Sequence, residues 1–122
     1  MAVAISKKNT TCAVLEQSGV FAAVALTQDT KQELLKVFGF QSSAKIDKFS
    51  GISVGIDKNG IPYPMENIAA RFSCRVVDRL DLGTHFLFVG EAEEAEIICE
   101  DPLLTYEHYR LIRKGGTPKN AP

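Results

Sequence analysis

The sequence contains no tryptophan, few cysteines and no long apolar run. Its three cysteines, Cys12, Cys74 and Cys99, are far apart and odd in number. Because no CxxC pair occurs, neither a metal site nor a dithiol redox centre is indicated. Reduced and mostly buried thiols, typical of a cytoplasmic protein, are the expectation. No segment approaches the roughly 20 apolar residues of a membrane span, and no signal-peptide pattern opens the chain.

An excess of charge of one sign is also lacking. The 14 basic and 15 acidic residues give a net charge of -1. A nucleic-acid binder held by bulk charge needs a basic excess, so no nucleic-acid partner is expected, although a local basic patch stays open. The length of 122 residues predicts one domain over residues 1–122. Hydrophobic and charged fractions of 45% and 24% are ordinary for a globular chain.

The familiar catalytic and nucleotide-binding motifs are absent. The sequence has no HExxH, GxSxG, GxGxxG or GxxxxGK[ST] pattern. Its two histidines, His85 and His108, are well separated, and His85 lies in the apolar stretch "GTHFLF". A lone histidine in a strand is more often structural than catalytic. Any nucleotide would have to be held in another way.

The first third of the chain alternates short strands and helices. "AVAI" and residues 20–26 read as strands, the second apolar on both faces. "NTTCAVLEQSG" reads as a helix with Asn9 as N-cap and Gly19 as its stop. Thr30 and Glu33 have the spacing of a capping box, which predicts a second helix in "TQDTKQELLKVFGF".

The second half predicts long antiparallel strands. Asn59-Gly60 marks a turn. In "IAARFSCRVVDRL", alternation puts two sets of side chains on opposite faces: Phe72, Cys74 and Val76 against Arg71, Ser73 and Arg75. "GTHFLFVGEAEEAEIIC" reads as a strand that bends at Gly90, with "EAEEAE" as a solvated acidic edge. We predict a mainly β fold, a closed or partly closed barrel with two outer helices, and a short helix or turn after Pro102.

The junction "SKKNTT" between the first strand and helix could bind an anion. A helix that begins at Asn9 or Thr10 leaves backbone N–H groups unpaired, and its dipole attracts negative charge. Nearby hydroxyls and ammonium groups belong to Ser6, Thr10, Thr11, Lys7 and Lys8. Spacing alone favours the plainer alternative, a capped helix behind two solvated lysines.

Several stretches together resemble the flavin reductase-like FMN-binding domain family, which includes flavoredoxin and the flavin domain of high-molecular-weight rubredoxin. They are "SGVFAAVALTQDT", "FGFQSSAKIDKF", "DLGTHFLFVGEAEEAEI" and "PLLTYEHYRLIRKGGTPKNAP", with "AVAISKKNTT" before them. The resemblance implies a split β-barrel that binds FMN, usually as a homodimer. It also implies electron transfer from NAD(P)H through FMN to a flavin, a rubredoxin or another acceptor.

The resemblance also implies site residues. The segment Ser6, Lys7, Lys8, Asn9, Thr10 and Thr11 would lie by the FMN phosphate and ribityl chain. Gln41, Ser42 and Lys48 would lie in a loop near the flavin, and His85 toward the flavin or nicotinamide as the candidate catalytic residue. No metal ligand is expected.

The sequence departs from the family pattern at several places. Thr10 and Cys12 stand where relatives often have tyrosine and histidine, and Ser43 to Lys45 replace a Gly-Arg-Asp sequence. Relatives also carry an N-terminal strand pair that helps to grip FMN and that is not present here. Its lack predicts weaker flavin binding. It leaves open a second hypothesis, a truncated, non-enzymatic dimeric β-barrel that has lost FMN, whereas a haem site lacks a convincing axial ligand.

Overall fold

The computed structural model describes residues 1–35 and 52–111. Its strands, in chain order, are β1 (Ala2–Ser6), β2 (Val20–Leu26), β3 (Val54–Ile56), β4 (Pro62–Pro64), β5 (Ile68–Asp81) and β6 (His85–Ile97). Its helices are α1 (Thr10–Ser18) and α2 (Tyr106–Leu111). Residues 32–35 are also helical, in the segment where the second helix is predicted.

The described strands form two antiparallel sheets. A four-stranded sheet has the order β1-β6-β5-β2, and a two-stranded sheet pairs β3 with β4. Within the described ranges β1 and β2 are not paired with each other, so the large sheet is an open half-barrel. The predicted mainly β fold with flanking helices is therefore confirmed.

Helix α1 begins and ends as the sequence predicts. Asn9 is the N-cap, with an extended backbone at φ -84° and ψ 140°. Gly19 ends the helix in the left-handed region at φ 70°, and its N–H donates to the carbonyl of Leu15. Glycine suits that position because a side chain would be strained there. The cap differs from the expectation in one respect: the Asn9 side chain makes no capping hydrogen bond.

The core lies between α1 and one face of the large sheet. Its buried members are Cys12, Leu15, Phe21, Cys74 and Phe88. The predicted alternation along β5 is confirmed on this face, where Phe72 and Val76 pack against the cluster. All three cysteines are free, and burial raises the pKa values of Cys12 and Cys74. Neither buried thiol is therefore a ready nucleophile.

The predicted bend in β6 is confirmed at Gly90, which lies between two irregularities of the β5–β6 ladder. Val76 pairs with Gly90 and Asp78 with Val89, so Val77 has no partner on β6. A second shift occurs between Ser73 and Cys74. Bulges of this kind increase twist and bend the strand, which curls the long hairpin around the core.

The β3–β4 hairpin lies on the opposite face of the sheet, where Asp57 joins it to β5. The Asp57 carboxylate accepts hydrogen bonds from the N–H groups of Asn59 and Ile61, at 2.8 and 2.9 Å, and from the Ser73 hydroxyl at 2.9 Å. Asp57 and Ser73 are both buried. The predicted turn at Asn59-Gly60 is confirmed, with Gly60 at φ 79°.

The acidic stretch in β6 is mostly exposed and lies beyond the part of β6 that pairs with β1, as expected for a solvated edge, but its carboxylates also form ion pairs. Glu93 pairs with Arg75 on β5 at 3.3 Å. Arg71 contacts Glu94 and Glu96 at 3.5 and 3.0 Å. The acidic residues therefore face arginines of the neighbouring strand, an arrangement that alternation within one strand does not show.

The expected C-terminal element is a short helix, α2, and the tail after it lies outside the described residues. The β-bridge between Thr27 and Leu103 joins the segment before α2 to the segment after β2. In residues 1–35 and 52–111, no helix is both long and apolar enough to cross a bilayer.

We predict that Gly90→Ala destabilises the fold by about 1–3 kcal/mol. A Cβ at this position would lie 2.7 Å from the ring of Phe21 and 3.1 Å from the Cβ of Cys74. Urea unfolding measures the change. The same substitution in a Phe21→Leu background should cost less, because the smaller side chain leaves room. Equal costs in the two backgrounds would contradict the steric explanation.

A second prediction concerns pH. Burial alone would raise the pKa of Asp57, but hydrogen bonds from Ile61, Ser73 and Asn59 outweigh it and lower the pKa below its ordinary 3.8. Because the pKa of Asp57 is lower in the folded than in the unfolded protein, the carboxylate stabilises the fold at pH values above its unfolded pKa. This contribution is lost as the pH falls through the folded pKa. Asp57→Asn should therefore reduce the free energy of unfolding by about 1–3 kcal/mol at pH 7.

The difference between wild type and Asp57→Asn should shrink as the pH falls below the ordinary aspartate pKa of 3.8. Urea unfolding at a series of pH values checks this, with the exposed Asp29→Asn as the control. A difference that stays constant across the series would show that the Asp57 carboxylate contributes no charge-dependent stability.

Candidate functional site

The pairing of β1 with β6 brings two predicted site regions together. Ser6, the last residue of β1, lies opposite His85, the first residue of β6. The Lys7 N–H donates to the carbonyl of Thr84 at 3.0 Å, which extends the contact into the β5–β6 turn. The segment 6–11 and His85 are therefore neighbours, although they are far apart in the sequence.

The first turn of α1 offers unpaired backbone donors. The Asn9 N–H donates to the Ser6 carbonyl at 3.0 Å, and the Cys12 N–H donates to the Asn9 carbonyl at 3.0 Å. Among the described residues, the N–H groups of Thr10 and Thr11 have no acceptor, as expected at a helix start. Because these N–H groups lie at the positive end of the helix dipole, they can bind an anion.

Side chains around this turn have different roles. The buried Ser6 hydroxyl accepts a hydrogen bond from the Lys8 N–H at 3.3 Å, so it stabilises the turn itself. Thr10 and Thr11 are exposed beside the unpaired N–H groups. The Asn9 amide makes no cap bond and is half-buried, which leaves it available to a ligand at the helix start.

The two lysines of the turn differ in their surroundings. The Lys7 ammonium lies 2.6 Å from an Asp81 carboxylate oxygen and 4.6 Å from the centroid of the Phe86 ring. Lys8 is exposed, and its ammonium has no ion-pair partner in the described part of the chain. Lys7 is thus held in an ion pair, whereas Lys8 is exposed to solvent, and contact of either lysine with a phosphate stays a prediction.

A group of charged side chains surrounds Phe86 next to this turn. Arg79 lies 4.2 Å from the ring centroid and pairs with Glu16 of α1 at 2.5 Å. The hydrogen bond from Lys7, followed by the one from the Gly83 N–H, lowers the pKa of Asp81. The cluster ties α1 to the end of the β5–β6 hairpin.

His85 is half-buried at the start of β6. Its Nδ1 lies 2.8 Å from the Thr84 hydroxyl, and its carbonyl accepts a hydrogen bond from the Leu82 N–H at 2.9 Å. The ring is therefore oriented by the turn that also contacts the start of α1. Gln41, Ser42 and Lys48 lie outside the described residues.

Sequence reasoning missed the charged partners in this region. Lys7 and Asp81 are 74 residues apart in the sequence, and Arg79 and Glu16 are 63 apart. No local pattern links such residues, which come together only through the pairing of β1, β6 and β5 and the position of α1 beside them. The described residues contain no cluster of three or more side chains suited to bind a metal ion.

Comparisons with known proteins agree on one family. The family model described as "Flavin reductase like domain" matches residues 1–113. The ferric-chelate reductase (NAD(P)H) of Archaeoglobus fulgidus is 38% identical over 121 residues, which cover 99% of this chain and 72% of that protein. The high molecular weight rubredoxin of Moorella thermoacetica is 31% identical over 122 residues, which cover all of this chain and 53% of that protein.

A solved structure shows the same fold. The crystal structure of flavoredoxin from Methanosarcina acetivorans matches with a TM-score of 0.71 at 23% sequence identity. The match covers 86% of this chain and 63% of that one. The matching fold and the sequence matches confirm the family resemblance seen in the sequence. The chain belongs to the flavin reductase-like domain family.

Proposed function

We propose that this chain binds FMN with its phosphate at the start of α1 and transfers electrons from NAD(P)H, through the flavin, to an acceptor. The acceptor would be a free flavin, a rubredoxin or a similar protein. The observation that carries the proposal is the pair of unpaired N–H groups at Thr10 and Thr11, beside the available ammonium of Lys8. Backbone donors, helix dipole and a cation together suit a phosphate.

The choice of FMN is supported by the shape of this donor set. FMN ends in a phosphate monoester, whose terminal oxygens can meet several donors at one helix start. The relatives support a flavin in general: one protein of similar fold is an FMN-binding protein from Thermus thermophilus, and another is an NADH:FAD oxidoreductase from Streptomyces globisporus. A titration with both flavins therefore belongs to the test.

A bound flavin would supply the hydride and electron chemistry. The residues of this chain would bind and orient it. Lys8 and the Thr10 and Thr11 groups would hold the phosphate, and Asn9 would reach the ribityl chain or phosphate. His85, oriented through Thr84, would lie toward the flavin or nicotinamide ring. Gln41, Ser42 and Lys48 complete the proposed contacts.

We also propose that the chain acts as a homodimer in the cytoplasm. Apart from Asp78, which pairs with Val89, the outer face of β1, β6 and β5 is apolar where the β3–β4 hairpin leaves it uncovered. Register places these side chains on one face: Ala2, Ala4, Leu80, Leu87 and Val89. Leu80 is 57% exposed, and a second copy would cover such a face. The free thiols suit a reducing compartment.

The proposal predicts that purified protein takes up FMN and becomes yellow. Lys8→Met and Asn9→Ala should each weaken FMN binding about tenfold, since a hydrogen bond to a charged group contributes roughly 1.5–3 kcal/mol. Flavin fluorescence titration measures the dissociation constants. Lys58→Met is the control, because Lys58 is exposed in the β3–β4 hairpin and pairs with Glu93.

Anaerobic addition of NADH or NADPH to the loaded protein should bleach the flavin absorbance. A colourless protein that takes up neither FMN nor FAD would overturn the flavin proposal and favour the non-enzymatic barrel. A yellow protein that neither nicotinamide reduces would leave a flavin carrier without reductase activity.

A further inference from the structure

The carboxylate of Asp81 joins the helix-start turn to the β5–β6 turn. One of its oxygens accepts from the Lys7 ammonium at 2.6 Å and from the Gly83 N–H at 2.8 Å. The Lys7 N–H in turn donates to the Thr84 carbonyl at 3.0 Å. Two connections, one through the Lys7 side chain and one through its backbone, thus hold the segment after β1 against residues 82–84.

The same turn holds His85. The hydroxyl of Thr84 lies 2.8 Å from His85 Nδ1, and the Leu82 N–H donates to the His85 carbonyl at 2.9 Å. Gly83, at φ 91°, needs the left-handed conformation that glycine adopts without strain. The Asp81 carboxylate fixes the N–H of that glycine, so it acts on the residues that orient the imidazole.

The side chain of Lys7 is committed to this arrangement. Its ammonium lies over the Phe86 ring, 4.6 Å from the ring centroid, and the Arg79 guanidinium lies over the same ring at 4.2 Å. Moving the Lys7 ammonium to the start of α1 would break both the ion pair with Asp81 and the ring contact. Lys8 faces no such restraint.

We propose that Asp81 is a positioning residue for the helix-start site. By holding Lys7, it fixes the first turn of α1 at a set distance from His85 and leaves Lys8 as the cation that meets the phosphate. This inference rests on the proposed flavin function. An exposed ion pair contributes little to global stability. We therefore expect loss of the Lys7–Asp81 pair to change the local geometry and the affinity for flavin rather than the free energy of unfolding.

The first arm of the test measures FMN affinity. Asp81→Asn keeps an oxygen for the Gly83 N–H but removes the charge that holds Lys7. We expect it to raise the dissociation constant for FMN about threefold to tenfold. The matched control is Asp78→Asn, on the same strand but on the opposite face, which should bind FMN like the wild type. Lys8→Met should weaken binding more than Lys7→Met.

A double-mutant cycle decides whether Asp81 acts through Lys7. In a Lys7→Met background, Asp81→Asn should have almost no further effect on FMN affinity, because the partner is already missing. Independent effects of the two substitutions would overturn the inference. Tighter FMN binding by Asp81→Asn would overturn it as well, since Lys7 would then itself bind the phosphate, and Asp81 would hold it away.

The second arm needs no flavin and separates this inference from the proposed function. NMR spectra of the unliganded protein should show shifted amide signals for Thr10 and Thr11 and shifted imidazole signals for His85 in Asp81→Asn, with no such change in Asp78→Asn. Unchanged signals would overturn the positioning role even if FMN binds. Shifted signals in a protein that takes up no FMN would support the coupling and reject only the flavin function.

Discussion

The antiparallel register between β1 and β6 is the constraint on which the rest of the structure depends. It places Val3 opposite Phe88 and Ile5 opposite Phe86 on the core side, and it places Ser6 opposite His85 at the end of the ladder. A slip by one residue would turn the apolar side chains of β1 away from the core. The burial of Phe88 therefore fixes the position of the turn that we propose to bind an anion.

The long β5–β6 hairpin carries this constraint across the molecule. Its bulges and the close packing of Gly90 against Phe21 bend the sheet around α1. At its closed end, the hairpin presents Asp81 and His85 to the segment after β1. On its other face, the β3–β4 hairpin is held by the buried Asp57 carboxylate. Core packing and site geometry thus share the same two strands.

Local rules predicted the elements that depend on local chemistry. Helix α1 begins after Asn9 and ends at Gly19, the alternation around Cys74 identifies the core face of β5, and Gly90 marks the bend in β6. The ion pair that holds Lys7 but not Lys8 could not be predicted, because it depends on a carboxylate brought close only by strand pairing. The ion pairs of the acidic stretch in β6 were missed for the same reason.

The sequence alone gave a weak argument for an anion site, since a capped helix would look the same. The structure strengthens it in two respects: the Asn9 side chain does not cap the helix, and the Thr10 and Thr11 N–H groups have no acceptor in the described ranges. Family membership then supplies the kind of ligand that such a site would hold.

The most direct test of this account is a crystal structure of the protein soaked or grown with FMN. The account predicts phosphate oxygens within hydrogen-bond distance of the Thr10 and Thr11 N–H groups and near the Lys8 ammonium, with Lys7 still paired to Asp81. A flavin bound with its phosphate away from the start of α1 would contradict it.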